Sequence, residues 1–229
     1  MRVACGLAGV VLASAAVVIA AAFVGDGAFD SELPVLSVIR WLTALEMLLV
    51  PAWVGAVLAR PGVSLVSRLA WAMAAVVVAA AASLALAAAG GGGAGGVLEV
   101  QAVAAGFVIL LAGTAAVLAR AAGPLAAQMF TTMLGWLLLA GIILAAPLVE
   151  LTHGPLQAEV VRLVAHANPL LVAERELGLD WLHQGLTYRL TPLGESYGYL
   201  LGDLAWWKTA LAHVFVGSGL LVFGATGRR

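Results

Sequence analysis

The sequence predicts an all-α, polytopic membrane protein: six transmembrane helices in a single domain, 1–229, with short interfacial helices in the last outer loop. Three observations carry that expectation. Hydrophobic residues make up 63% of the 229, and the mean hydropathy is +1.08. The apolar residues fall into runs near the roughly 20 needed to cross a bilayer core about 30 Å thick. The charges then sort by side. With six runs, every acidic residue but Glu46 belongs to one face of the membrane, and the other face carries arginine alone.

The runs are 3–24, 41–59, 69–89, 97–119, 129–149 and 206–224. On the arginine side lie the N-terminus (Arg2), 60–68 (Arg60, Arg68), 120–128 (Arg120) and the C-terminus (Arg228, Arg229). Lysine and arginine in short loops set orientation. This face is therefore expected to be cytoplasmic, with both termini on it, in a bacterial inner membrane. The first run is read as an uncleaved helix. Ala20-Ala21-Ala22 offers small residues for cleavage, but 22 apolar residues exceed the 7–15 of a signal peptide.

The second run contains Pro51, which should kink it, and ends in Arg60-Pro61-Gly62-Val63-Ser64-Leu65. Residues 90–96, all Gly and Ala, read as a flexible outer linker between the third and fourth runs. Glycines at 6 and 9, 106 and 113, 135 and 141, and 217, 219 and 224 suit close backbone approach in lipid. Trp41, Trp71, Trp206 and Trp207 stand at run ends, where an amphipathic ring prefers the headgroup level.

Residues 150–205 form the outer loop. Gln157 to Ala167 predicts an amphipathic helix, with Val160, Leu163 and Val164 on one face and Glu159, Arg162 and His166 on the other. Asn168-Pro169 ends it, since a residue before proline avoids the helical region. Leu170–Leu177 and Asp180–Gln184 read as short interfacial helices. Tyr188, Tyr197, Tyr199, Trp206 and Trp207 then lead the chain back to the membrane.

Composition excludes several classes. The net charge is −1 and no basic cluster exists, so no nucleic-acid partner is expected. Cys5 is the single cysteine and has no internal disulfide partner. His153, His166, His183 and His213 match no ligand spacing, so neither metal nor cofactor is expected. No phosphate loop occurs, and a chain used up in spans and one loop leaves no room for a nucleotide-binding domain. Gly217-Ser218-Gly219 could suggest an intramembrane serine nucleophile. His213, however, is five residues back on the same helix and points elsewhere, so packing is the expected role.

Glu46 is the one acidic side chain well inside a run, roughly 9 Å from the outer end at 1.5 Å per residue. A carboxylate at that depth is protonated, paired or facing water. A pathway residue and a structural hydrogen bond are both open readings.

Six spans, cytoplasmic termini and a long outer segment with short helices before the last span resemble the ABC type-2 transporter permeases. Pro51 followed by Arg60, Pro61, Gly62, Ser64 and Leu65 is similar to that family's second span and the Glu-Arg…Gly-Thr-Leu segment that docks its ATPase. Ala119-Arg120-Ala121-Ala122-Gly123 resembles the family's short basic turn. Asn168-Pro169, an apolar helix and Trp206-Trp207 resemble its last outer segment. The chain departs from the pattern in three places: the docking segment lacks its acid, the second cytoplasmic loop is very short, and only Met1-Arg2 precede the first span.

The resemblance implies a membrane-spanning permease subunit of an ABC-type exporter, without an ATPase domain and so not itself an enzyme. Its partners would be a separate ATPase subunit pressing on 60–68 and 120–128, a second copy or a related permease, and membrane lipid. Glu46 would face the pathway or the dimer interface, and 150–205 would shape the outer exit. From another class, a non-transporting membrane scaffold or assembly subunit is the alternative, and the departures favour it. An intramembrane enzyme would need two converging reactive groups, where the spans offer only Glu46.

Overall fold

In lipid a backbone must satisfy its own hydrogen bonds, so apolar runs of Ala, Leu and Val become helices. The computed structural model describes residues 34–58, 63–89, 95–178 and 204–226, and these are helical nearly throughout. In chain order they are α1 (Pro34–Leu58), α2 (Leu65–Ala89), α3 (Gly95–Ala122), α4 (Pro124–Leu139), α5 (Gly141–Leu144), α6 (Ala146–Leu151), α7 (Pro155–Ala167), α8 (Pro169–Glu176) and α9 (Trp206–Thr226). Four stretches are long and apolar enough to cross a membrane: Val38–Leu58, Leu65–Ala88, Gly95–Ala122 and Trp206–Thr226. They fall where the second, third, fourth and sixth runs were expected. The run at 3–24 lies outside the described residues.

The fifth run is not one helix. α4 has 16 residues, about 24 Å at 1.5 Å per residue, and ends at Leu139. The helical path then flattens at Ala140 (φ −84°, ψ −3°) and Ala145 (φ −82°, ψ −9°), leaving α5 and α6 as separate turns. At Ala140 the Ile143 N–H bonds to the Ala140 carbonyl at 3.0 Å instead of the Leu139 carbonyl, and further on Pro147 has no N–H to return to Ile143. The single span expected at 129–149 is corrected to a helix over 124–139 followed by two short pieces.

α3 is the axis of the bundle and packs on α1, α2, α4, α8 and α9. Val100, Val103, Ala104, Phe107, Val108, Leu111 and Ala112 on it are all sealed from solvent. α9 runs parallel to α3 at very close range. A Cβ on Gly106 would meet the Ala210 carbonyl oxygen at 2.8 Å, one on Gly113 would strike the Gly217 carbonyl, and one on Gly224 would reach Ala116 at 3.0 Å. Small residues seven apart, two turns of helix, therefore line both sides of this seam. α4 runs antiparallel to α1. Gly135 receives the Pro51 ring, where a Cβ would come within 2.5 Å of it, and Gly55 faces Thr132 and the Gln128 carbonyl.

Proline 51 removes one N–H from the α1 ladder, and side chains from α4 serve the carbonyls around the defect. Trp136 Nε1 donates to the Leu48 carbonyl at 3.0 Å, and Thr132 Oγ1 donates to the Pro51 carbonyl at 3.3 Å. These contacts fix the order of the helices. α1, α3 and α9 run one way while α2 and α4 run the other, so Arg68 and Arg120 share one end of the bundle. Arg40, Glu99 and Glu176 share the opposite end.

Candidate functional site

At the end opposite Arg68 and Arg120, α7 and α8 form a helical hairpin that re-enters the bundle. The sequence builds the turn from Asn168-Pro169: proline opens α8 at its first position, and asparagine caps it. Asn168 Oδ1 accepts from the Leu171 N–H at 3.1 Å, and Asn168 Nδ2 donates to the Leu139 carbonyl at 2.8 Å. One residue therefore closes the hairpin tip and satisfies the carbonyl where α4 stops. His166 Nδ1 and Thr209 Oγ1 are 2.9 Å apart, and the His213 ring faces the Ala167 carbonyl. The tip thus lies two turns beyond Trp206 along α9, about 10 Å into the bundle at 1.5 Å per residue.

α8 then rises. Pro169, Leu171, Val172, Ala173 and Glu174 are buried, and Arg40 donates to the Leu177 carbonyl from Nε at 3.1 Å and from Nη2 at 2.7 Å. A guanidinium at this C-terminus also meets the negative end of the helix dipole.

This corrects two expectations. Leu170–Leu177 was expected to lie at the interface, yet α8 is packed among α1, α3, α4 and α9. Non-helical backbone at such depth is stable only inside protein, with its polar groups served, and the Asn168 contacts do that. On α7 the apolar stripe is rotated from the one expected. Val161 and Ala165 are buried, Leu163 is 70% exposed, and His166 turns inward to Thr209. An exposed leucine costs nothing against lipid, whereas a histidine does, so the polar partner on α9 decides the rotation. Outward, Glu159 and Arg162 pair at 2.8 Å. The helix expected at Asp180–Gln184 and the tyrosines at 188, 197 and 199 lie outside the described residues.

Glu46 lies on α1 against α3, and Gln101 Nε2 donates to its Oε2 at 3.0 Å. Gln101 is buried, as is Thr43 one turn outward from Glu46. Glu46 Oε1, Gln101 Oε1 and Thr43 Oγ1 are sealed from solvent and have no partner among the described residues. Gln101 carries no charge and so does not stand out in the charge pattern. A glutamine inside an apolar run was the available signal.

The other expected residues scatter. Ser64 Oγ accepts from the Ser67 N–H at 3.2 Å, so it caps α2, and Leu65 opens that helix and packs on the core. Arg60, Pro61 and Gly62 lie outside the described residues. Arg120 donates to the Phe223 carbonyl at 3.2 Å, with its guanidinium 6.0 Å from the Phe223 ring centre. Arg68 donates to the Leu58 carbonyl at 2.9 Å and the Val63 carbonyl at 2.8 Å. Trp206 packs on the core, and Trp207 is half exposed with Lys208 Nζ 5.7 Å from its ring centre. Gly217 rests against Ile109 and Leu110, whereas Ser218 is exposed and a Cβ on Gly219 would meet nothing within 4 Å, so Gly217 alone of the triplet makes the expected close approach.

At the outer end of the hairpin, the Glu176 carboxyl is raised above the usual 4.5. Burial is the main cause, followed by a hydrogen bond and charge repulsion from Glu99. Arg175 and the Trp206 backbone N–H act in the opposite direction. Among the described residues no three His, Cys, Asp or Glu side chains group to hold a metal. Comparison with protein-family models, curated proteins and solved structures returned no match. The polar groups the bundle brings together are Glu46 with Gln101 and, at the hairpin tip, His166 with Thr209.

Proposed function

We propose that this chain is a membrane-spanning permease subunit of an ABC-type exporter, working with a separate ATPase subunit. The observation that carries the reading is the α7–α8 hairpin, set between the fifth and last apolar runs and inserted into the bundle with a polar tip. A polar hairpin in an apolar core gives a pathway an outer wall that can shift against α1, α3 and α9. Counting the run at 3–24 and the shorter helix α4 with the four long helices gives six crossings. The arginine-bearing end then faces the cytoplasm of a bacterial cell, with both termini there. A second copy or a related permease would complete the pathway, and Glu46 is the polar residue placed nearest its outer half.

One observation favours the second reading, a non-transporting scaffold or assembly subunit. Arg68 and Arg120 donate to carbonyls near the ends of the neighbouring helices α1 and α9, which engages within the bundle two arginines of the end where an ATPase would dock. Purification of the tagged protein in mild detergent, with mass spectrometry of what accompanies it, separates the two. A stoichiometric ATPase subunit is the expected result for a permease. Recovery alone, or with a different membrane complex, gives the scaffold reading.

A further inference from the structure

The contact between Glu46 and Gln101 leaves two orphaned atoms that a single proton satisfies. Gln101 Nε2 donates to Glu46 Oε2 at 3.0 Å. The remaining oxygen of each group, Glu46 Oε1 and Gln101 Oε1, is sealed from solvent and has no partner among the described residues. Both atoms are pure acceptors when Glu46 is ionised. Two lone-pair oxygens would then sit on touching side chains with no hydrogen between them, and a buried unmatched charge would be added.

No neighbouring donor resolves this. The Thr43 hydroxyl, one turn outward on the same face, is itself without a partner. Arg40, the nearest cation along α1, has both Nε and Nη2 on the Leu177 carbonyl. A carboxyl group that keeps its proton presents one donor and one acceptor on a single edge, and a primary amide presents the same pair. The two edges are complementary.

We propose that Glu46 holds its carboxyl proton and that Glu46 and Gln101 close as a neutral, doubly hydrogen-bonded acid–amide clasp between α1 and α3. In the clasp Gln101 Nε2–H donates to Glu46 Oε2, and the Glu46 hydroxyl on Oε1 donates to Gln101 Oε1. Position 46 is thereby a proton-binding site within the bundle. The proton leaves only when the amide is withdrawn, so its release is tied to separation of α1 from α3. This inference does not depend on the permease reading. It rests on the two orphaned oxygens and applies equally to a scaffold.

Infrared difference spectroscopy of the full-length protein in lipid vesicles tests it, comparing the native chain with Glu46→Gln in H2O and D2O. The native chain is expected to show a carboxylic-acid carbonyl band that shifts in D2O and is missing from the variant. Loss of carboxylate bands instead would overturn the clasp. Should Glu46→Gln fail to fold, Gln101→Glu replaces it, since two protonated carboxyls close the same pair of hydrogen bonds. That variant gains a second acid band if the proposal holds, and gains carboxylate bands if it does not.

Discussion

Asn168 and Glu46 hold the polar interior together, and each makes a separate prediction. Asn168 caps α8 and serves the Leu139 carbonyl. Asn168→Ala should cost about 1 kcal/mol for the cap and ~1–3 kcal/mol for the stranded carbonyl. Asn168→Asp keeps the cap alone and should recover only part of this, as read from thermal unfolding followed by tryptophan fluorescence. For Glu46, glutamine can form the same two hydrogen bonds with Gln101, and alanine cannot. Glu46→Gln should therefore leave the unfolding midpoint near native and, under the permease proposal, change transport, whereas Glu46→Ala should lower the midpoint. Equal loss of folded protein in both variants would mean that residue 46 serves structure only. Glu46 was legible as the one acid inside an apolar run. Its partner was not, because which helix faces which depends on packing that a single sequence does not display.

At the scale of elements, glycine seams and the hairpin decide the architecture. A Cβ on Gly135 would press into the Pro51 ring, and overpacked contacts of this kind cost about 1–3 kcal/mol. Gly135→Ala should lower the unfolding midpoint. Gly141→Ala, which meets nothing within 4 Å, should not. Glu176 supplies a pH dependence at the hairpin exit. Its folded carboxyl is raised above 4.5, so the folded state binds the proton more tightly than the unfolded chain. The associated stability is complete below about 4.5 and is lost as pH rises through the raised value. Relative to Glu176→Gln, the native midpoint should fall across that interval, and a midpoint gap constant with pH would refute the assignment.

Helix positions 38–58, 65–88, 95–122 and 206–226 could be read from hydropathy because length and composition suffice for them. The break at Ala140 and the burial of α8 could not. Pro147 was visible, but whether a proline bends or divides an apolar run depends on what meets the freed backbone. Here an asparagine 29 residues further on meets the Leu139 carbonyl.

Across the whole molecule, the alternating directions of α1, α2, α3, α4 and α9 place Arg68 and Arg120 at one end of the bundle and the hairpin at the other. On the proposed six-run topology these two ends face opposite sides of a membrane, with six arginines and no acid on one of them. Function was less legible, because the resemblance behind the permease proposal rests on layout and few residues, and no family model, curated protein or solved structure matches the chain. The ATPase partner is therefore a prediction at this scale, to be checked by co-purification. The measurement that tests the architecture most directly is cysteine labelling with a membrane-impermeant maleimide, in a Cys5→Ser background. His153→Cys and Ala121→Cys are both exposed positions, at opposite ends of the bundle. Labelling of position 153 in intact cells, with position 121 reached only after the membrane is opened, is the predicted result. Labelling of both positions from the same side would contradict the account.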